Sequence, residues 1–304
     1  MNRREFIRDV LLWSAGLTVS IPRFTIPEVF AAVPPPLLAV DRGTDYSGLL
    51  DKVLTSLGGM NKFVRPGDRV VVKPNIGWDR AEKFAANTNP VIVRALVEQA
   101  LEAGASKVQV FDRTCNEKRR CYKNSGIEDT LKSLKNNKVS IEHIDDRKFI
   151  PVEIERGKSL SRMNIYKDAL EADCYINLPV AKHHGLSRLT LGLKNSMGVI
   201  GGNRGMMHFN LGQKLADLAT VIQPALTVID ATRILLDNGP QGGSMDDVKI
   251  TDTIIASVDP VAADAYATTL FDMQPDEIES TVAAYKLGLG EINIKRMKIL
   301  TTTV

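Results

Sequence analysis

The chain has 304 residues, 44% of them hydrophobic, which is enough apolar material for one large core or two small ones. Its 39 lysines and arginines nearly balance 36 acidic residues, leaving a net charge of +3. With so weak a charge and no basic run interleaved with aromatics, nucleic acid is excluded as an expected partner.

The first residues read as an address. Asn2-Arg3-Arg4-Glu5-Phe6-Ile7 precedes an uncharged stretch over residues 10–22, and small residues follow at Ala31 and Ala32. Paired arginines, a mildly hydrophobic run and small residues in that order predict a twin-arginine signal over residues 1–32. The run is too short for a membrane span, which takes ~20 apolar residues. The expectation is export by the twin-arginine translocase to the periplasm or another extracytoplasmic space, with membrane tethering if the signal stays uncleaved. That route carries folded proteins, and a common reason to fold first is a cofactor inserted in the cytoplasm. Residues 33–304 are expected to form a single α/β domain.

Three prolines at 34–36 lead into a strand at 37–40. Apolar residues at helical spacing predict a helix over 46–57. Arg65-Pro66-Gly67-Asp68 is a turn before a strand over 69–73, where Val70, Val71 and Val72 run together as in a strand buried on both faces. Asn89 and Pro90 read as the cap and first residue of a helix that Gly104 stops. Strands at 107–111 and 139–144 flank a helix at 127–134. Extended pieces at 151–154 and 163–166 suggest a hairpin, and 168–172 a helical turn. Strands at 174–178, 225–229, 253–257 and 297–301 alternate with helices at 211–222, 260–271 and 276–286. This alternation predicts an α/β fold, a mostly parallel sheet with helices on both faces, three-layered and Rossmann-like. Residues 182–210 are glycine-rich with little periodicity, and loops of that length are functional or disordered.

In an open parallel sheet, ligands bind outside the carboxyl ends of the strands. Lys73-Pro74-Asn75, Asp112-Arg113-Thr114-Cys115, Lys182-His183-His184, Asp230 and Asp259 all follow predicted strands, which points to one rim-shaped site. Lys182, His183, His184, Lys194 and His208 form the sharpest cluster. Imidazole is the commonest side-chain metal ligand and carries protons near neutral pH. A lysine whose pKa is lowered by burial is a nucleophile. A solvated loop whose histidines cap backbone groups is the alternative reading of the same residues. Adjacent histidines point apart, so at most one of His183 and His184 faces a given ligand. Arg188 and Arg204, with Lys73 and Lys182, suit phosphate or carboxylate.

The glycines at 198, 201, 202 and 205 match neither the dinucleotide fingerprint nor a P-loop. Asn238-Gly239-Pro240-Gln241-Gly242-Gly243 reads as a tight surface turn. The three cysteines contain no C-x-x-C spacing, so no iron–sulfur cluster or zinc ribbon is expected. Cys115 and Cys121 are near enough in sequence to pair in an oxidising compartment, and Cys174 reads as a small buried hydrophobe.

Lys73-Pro74-Asn75, Asn177-Leu178-Pro179 with Lys182 and His184, Thr190-Leu191-Gly192-Leu193-Lys194-Asn195, Asn238-Gly239-Pro240 and Ser257-Val258-Asp259-Pro260-Val261-Ala262 go further. Together they resemble the family known as domain of unknown function 362, over about residues 37–300. Members of that family often carry a ferredoxin-like iron–sulfur module, whose cysteine set this chain lacks. A second similarity lies in the order Ala172-Asp173, hydrophobic strand, His184, Lys194 and His208, which resembles the N-terminal half of nickel-pincer lactate racemase. That resemblance implies a proton-moving role for His184, a tether for the pincer nucleotide at Lys194 and nickel ligation by His208. The chain departs from it in three places. Lys194 lies in Leu-Lys-Asn instead of a glycine pair, the spacing to His208 differs, and residues 112–116 hold no second histidine. Racemisation needs a base on each face of the carbon.

The sequence reading therefore places His184, Lys194 and Asp112 as catalytic groups. It places Lys73, Asn75, Lys182, Asn195 and Arg204 as cofactor-binding groups, and His208 and His183 as metal ligands. The expected cofactor is a metal ion, nickel in the racemase case, or a phosphate-bearing group. The expected activity is proton or hydride transfer on a small organic acid, by a racemase-like isomerase or an oxidoreductase. Two alternatives stand beside it. One is a periplasmic carrier of a metal or cofactor without turnover. The other is a redox accessory protein that uses Cys115 and Cys121 with a redox partner protein.

Overall fold

Val70, Val71 and Val72 lie in the middle of the sheet with no more than 1% of each exposed, and their alternation sets the layers. The computed structural model describes residues 35–302, so the export signal read over 1–32 lies outside the described residues. In chain order, β1 is Leu37–Arg42, α1 Tyr46–Ser56, β2 Arg69–Pro74, α2 Pro90–Glu102 and β3 Lys107–Val110. Two short helices, α3 (Lys118–Asn124) and α4 (Ile127–Lys132), precede β4 (Val139–Ile141). β5 (Phe149–Glu153) and β6 (Arg162–Tyr166) form a separate antiparallel pair before the one-turn α5 (Lys167–Leu170). Next come β7 (Cys174–Leu178), β8 (Val180–His184), β9 (Arg188–Thr190) and the short α6 (Gly192–Asn195). The chain continues through α7 (Leu211–Ala219), β10 (Leu226–Leu235), β11 (Val248–Ser257), α8 (Pro260–Thr268), α9 (Glu279–Lys286) and β12 (Lys298–Leu300).

The large sheet has the order β12-β1-β11-β10-β7-β2-β3-β4, with β8 and β9 attached beside β10. From β10 to β4 the neighbours are parallel. β11 runs antiparallel to both β1 and β10, so the sheet is mixed but mostly parallel. Successive side chains on a strand point to opposite faces. Val70, Val72, Val108 and Val110 accordingly pack with Leu50 of α1, Ile92 and Leu96 of α2 and Ile127 of α4. Val71 points the other way and joins Phe111, Tyr175 and Leu215 of α7. Ile229 and Ile255 pack against Ala262 and Ala263 of α8. Helices thus cover both faces, as parallel strands require.

The predicted start of α2 is built as expected. Pro90 is its first residue and the Asn89 side chain accepts the Val91 N–H at 3.0 Å. Gly104, at φ +100°, then turns the chain out of the helix against Pro66.

Three differences from the sequence reading bear on the site. Residues 182–210 are not an irregular loop. They form the end of β8, the hairpin to β9, α6 and two 3-10 turns, Ser196–Val199 and Arg204–His208. Their pattern is hidden because lysines and histidines occupy positions that an ordinary strand fills with apolar residues. β10 and β11 each run ten residues, β10 continuing past Asp230 and β11 beginning already at Val248, with a bulge in their pairing between Ala231 and Arg233. The unpredicted α3 is capped by Glu117, which accepts the N–H groups of Arg119 and Arg120, and buries only Cys121 and Tyr122. Among the described residues no helix is long and apolar enough to cross a membrane.

Candidate functional site

The carboxyl ends of β2, β3 and β8 open on one cleft of about 380 Å³. Lys73 and Asn75 reach it from the end of β2, Asp112 from just past β3, and Lys182 and His184 from β8. Lys194 and Asn195 enter from α6, and Arg204 and His208 from the 3-10 turn beyond it.

A buried polar spine forms the floor. Lys73 Nζ lies 2.8 Å from Asp112 Oδ1, with the side chains 1% and 3% exposed. The same ammonium donates to Asn195 Oδ1 at 2.8 Å and to the Pro74 carbonyl at 3.0 Å. Asp112 Oδ2 accepts the Ile76 N–H at 2.7 Å. Asn195 uses its whole amide: Oδ1 also accepts from Asn75 Nδ2, and Nδ2 donates to the Lys73 carbonyl and to Asn177 Oδ1. Burial pulls the Lys73 amine below the usual lysine range, and the Asp112 carboxylate opposes that. Gly198 permits this closeness, because a methyl there would overlap both Asp112 and Lys73.

Among the described residues the other two lysines have no such carboxylate partner. Lys182, 1% exposed, donates to the Ala86 carbonyl and to Asn75 Oδ1. Burial pushes its amine down to about 7, and Lys194 and Lys73 add to that against Cys115 and Asp112. Lys194 is half-buried and its Nζ rests 3.1 Å from Met197 Sδ, a weak acceptor. Burial pushes this amine down to about 8, opposed by Cys115 and assisted by Arg204 and Lys73. The backbone under Lys194 is pinned from α8. Asp264 Oδ1 accepts the Gly192 N–H at 2.7 Å and Oδ2 the Leu193 N–H at 2.9 Å. Burial pushes the Asp264 carboxyl up to about 7, against those two hydrogen bonds.

His184 is oriented by its own turn. Its Nδ1 accepts the N–H groups of Leu186 at 3.1 Å and Ser187 at 3.3 Å. Burial pushes the imidazole down to about 3, with Lys194, Lys182, His208 and His183 adding to it. The ring is therefore neutral near pH 7, and with Nδ1 accepting, its proton sits on Nε2. His208 stacks on it at a centroid distance of 6.3 Å. Arg204 donates to the carbonyls of Arg113 and Thr114 and lies 3.8 Å from Cys115 Sγ.

Some expected residues fall elsewhere. His183, its neighbour's ring turned into the cleft, accepts the Gly239 N–H at 3.0 Å on Nδ1 and does not line the cleft. Arg188 is exposed and pairs with Glu277 at 2.9 Å. Asp230 is buried within β10, where it accepts the Asn89 N–H. Asp259 caps α8 by accepting the Ala262 N–H. It sits at the other edge because β11 is antiparallel, which turns its carboxyl end away from the rim. Cys115 and Cys121 are free thiols, the first exposed beside the cleft and the second buried. Conversely, Gly239 and Pro240 line the cleft although their sequence reads as a surface turn, and Trp78, Met197 and Gly198 join them. The Gly239–Pro240 bond is cis.

A metal fits poorly. Among the described residues no three His, Cys, Asp or Glu side chains gather as a ligand set. His183 is spent on Gly239, His184 Nδ1 on its turn, and Asp112 on Lys73. What the cleft offers is positive charge, with Lys73, Arg113, Lys182, Lys194 and Arg204 set against the single carboxylate of Asp112.

These features define an α/β protein with a basic, lysine-lined cleft at the carboxyl edge of its sheet. The chain belongs to the family described as Domain of unknown function (DUF362), whose profile matches residues 70–269. It is similar to Thylakoid-associated protein sll1697 of Synechocystis sp., with 29% identity over 256 residues, 79% of this chain and 74% of the relative. Among solved structures it is similar to the lactate racemase apoprotein from Thermoanaerobacterium thermosaccharolyticum, at TM-score 0.48 and 10% identity, over 73% of this chain and 54% of the racemase. It is also similar to a protein from Thermotoga maritima, at TM-score 0.40 and 10% identity, over 79% of this chain and 59% of that one. The chain spans between half and two thirds of the length of these two solved proteins.

Proposed function

We propose that this protein is an exported enzyme that binds a small organic acid in the basic cleft and moves a proton on it. The observation that carries the reading is the make-up of the cleft, lined among the described residues by three lysines and two arginines against one carboxylate that is already paired with Lys73. Lys182 and Arg204 would hold the acid's carboxylate. Lys194, whose amine is partly neutral near pH 8, would take the proton. His184 would meet the developing oxyanion as a neutral Nε2–H donor, a role its locked tautomer suits better than that of a base. Export is supported by Arg3-Arg4 and the run behind them, and the relative named as thylakoid-associated agrees with a membrane-linked compartment.

Calorimetric titration with lactate, malate and phosphate tests the binding step. Wash-in of deuterium at the 2-position of lactate or malate, followed by NMR, tests the proton step. The parent is expected to bind and exchange, Lys194→Ala to bind without exchange, and His184→Ala to lose most of the exchange. No binding of any small acid by the parent overturns the reading. Changing Arg3 and Arg4 both to lysine is expected to keep the protein in the cytoplasmic fraction, and unchanged export sinks that part.

A carrier that binds the same anion without turnover is the second reading. It is favoured by the two backbone donors on His184 Nδ1, which keep that ring from cycling as a base. Tight binding with no exchange under any condition would select it.

A further inference from the structure

The three lysines of the cleft differ in what occupies their amines. Lys73 is spent three times, on Asp112, Asn195 and the Pro74 carbonyl. Lys182 is spent on two oxygen acceptors, the Ala86 carbonyl and Asn75 Oδ1. Lys194 faces the same cavity, and among the described residues its amine hydrogen-bonds only the sulfur of Met197, to which it donates, so no carboxylate or oxygen acceptor holds it in the ammonium form. The residues on either side of it, by contrast, are held, Gly192 and Leu193 by Asp264 and Asn195 by Asn177. A fixed stem carrying an uncommitted amine in a basic cleft is the arrangement of a nucleophile.

We propose that Lys194 forms a Schiff base with the carbonyl carbon of a 2-oxo acid. The proposal rests on the reading that the cleft binds small organic acids, and it names, within that class, the acids with a keto group beside the carboxylate as the ones that bond to Lys194. The Nζ lone pair forms the C–N bond while the carbonyl π pair moves to oxygen. Both amine protons pass to that oxygen, which leaves as water, and the C=N bond forms. A proton from solvent then gives the iminium ion, and no oxidant or reductant is consumed. The carboxylate lies against Lys182 and Arg204. The Nε2–H of His184, in the same cleft, hydrogen-bonds the oxygen as it departs. The iminium is an electron sink that acidifies the carbon next to it, so Lys194 activates a 2-oxo acid covalently, whereas with a 2-hydroxy acid, which has no ketone to condense with, the same free amine takes the proton.

The test is borohydride trapping on the purified full chain. Pyruvate and sodium borohydride are added together near pH 8, and intact mass with peptide mapping reads the product. One reduced pyruvyl group per chain, located on Lys194, is expected. Trapping should fall at least tenfold in Lys194→Arg and Lys194→Met, with both variants checked for parental circular dichroism. Lactate, which has no carbonyl, should compete with trapping in the parent without being trapped itself. Label spread over surface lysines to the same extent in parent and variants overturns the proposal. So does an absence of label at pyruvate concentrations that calorimetry shows to be saturating, an outcome that leaves anion binding standing. An absence of pyruvate binding overturns both.

Discussion

Lys73 at the end of β2 and Asp112 just past β3 pair at 2.8 Å, with 1% and 3% of their side chains exposed. Desolvation takes back much of what such a pair gains, but removing one partner strands the other charge in the interior. Asp112→Asn is therefore expected to cost about 3–5 kcal/mol in urea unfolding. The double variant Lys73→Met, Asp112→Leu is expected to recover most of that loss. A single-variant cost below about 1 kcal/mol would mean that water reaches the pair.

Gly198 is the clearance that lets this pair form under the 3-10 turn after α6. Gly198→Ala forces Lys73 or Asp112 aside, and overpacking of this kind costs about 1–3 kcal/mol. Lower thermal stability and weaker phosphate or lactate binding are expected together. Parental values for both would show that the turn yields without disturbing the cleft.

His184 gives a pH signature. Its folded pKa is about 3 and its ordinary value 6.5. Between those values the unfolded chain binds a proton that the native protein refuses, so native stability rises with pH across that window. Above 6.5 both states are neutral, and below 3 both are charged, so the effect is flat on either side. The slope from this group is at most about 1.4 kcal/mol per pH unit. Unfolding free energies of the parent and His184→Gln, measured from pH 4 to 7, should differ in slope, the parent losing stability faster toward the acid end. Parallel curves would place the ring in water.

Asp264 acts on the cleft at one remove, through the backbone of α6. Asp264→Ala leaves the Gly192 and Leu193 N–H groups unpaired, at a cost of about 1–3 kcal/mol each where water cannot reach them. Deuterium exchange on lactate is expected to fall several-fold, because Lys194 loses its support. Asp264→Asn keeps one acceptor oxygen and should restore part of it. A variant that loses stability alone, with exchange per folded molecule unchanged, would make Asp264 purely structural.

Arrangements that depend on near neighbours were legible from residue order. The strand through Val70-Val71-Val72, the cap and proline at Asn89-Pro90, the stop at Gly104 and the alternation that makes the sheet mostly parallel all follow local rules. So did the gathering of Lys73, Asn75, Asp112, Lys182, His184, Lys194 and Asn195 at one rim, because the carboxyl ends of parallel strands share an edge. The hairpin after β8 was not legible, and the turn at Gly239-Pro240 was legible as a turn but not as a wall of the cleft. Their polar residues and glycines break the periodicity of an ordinary element, and only distant neighbours explain them.

The sequence alone determined which residue types could reach the rim and that the site would be basic, since burial pattern and the alternation of strands with helices are encoded in local periodicity and composition. The tertiary structure alone decided the rest. It turned Asp259 to the far edge through the antiparallel β11, sent His183 to Gly239 while His184 faced the cleft, and committed Lys73 to Asp112 while Lys194, among the described residues, found only the sulfur of Met197. Strand direction and the partner of a buried charge depend on groups far away along the chain, and periodicity carries no record of them.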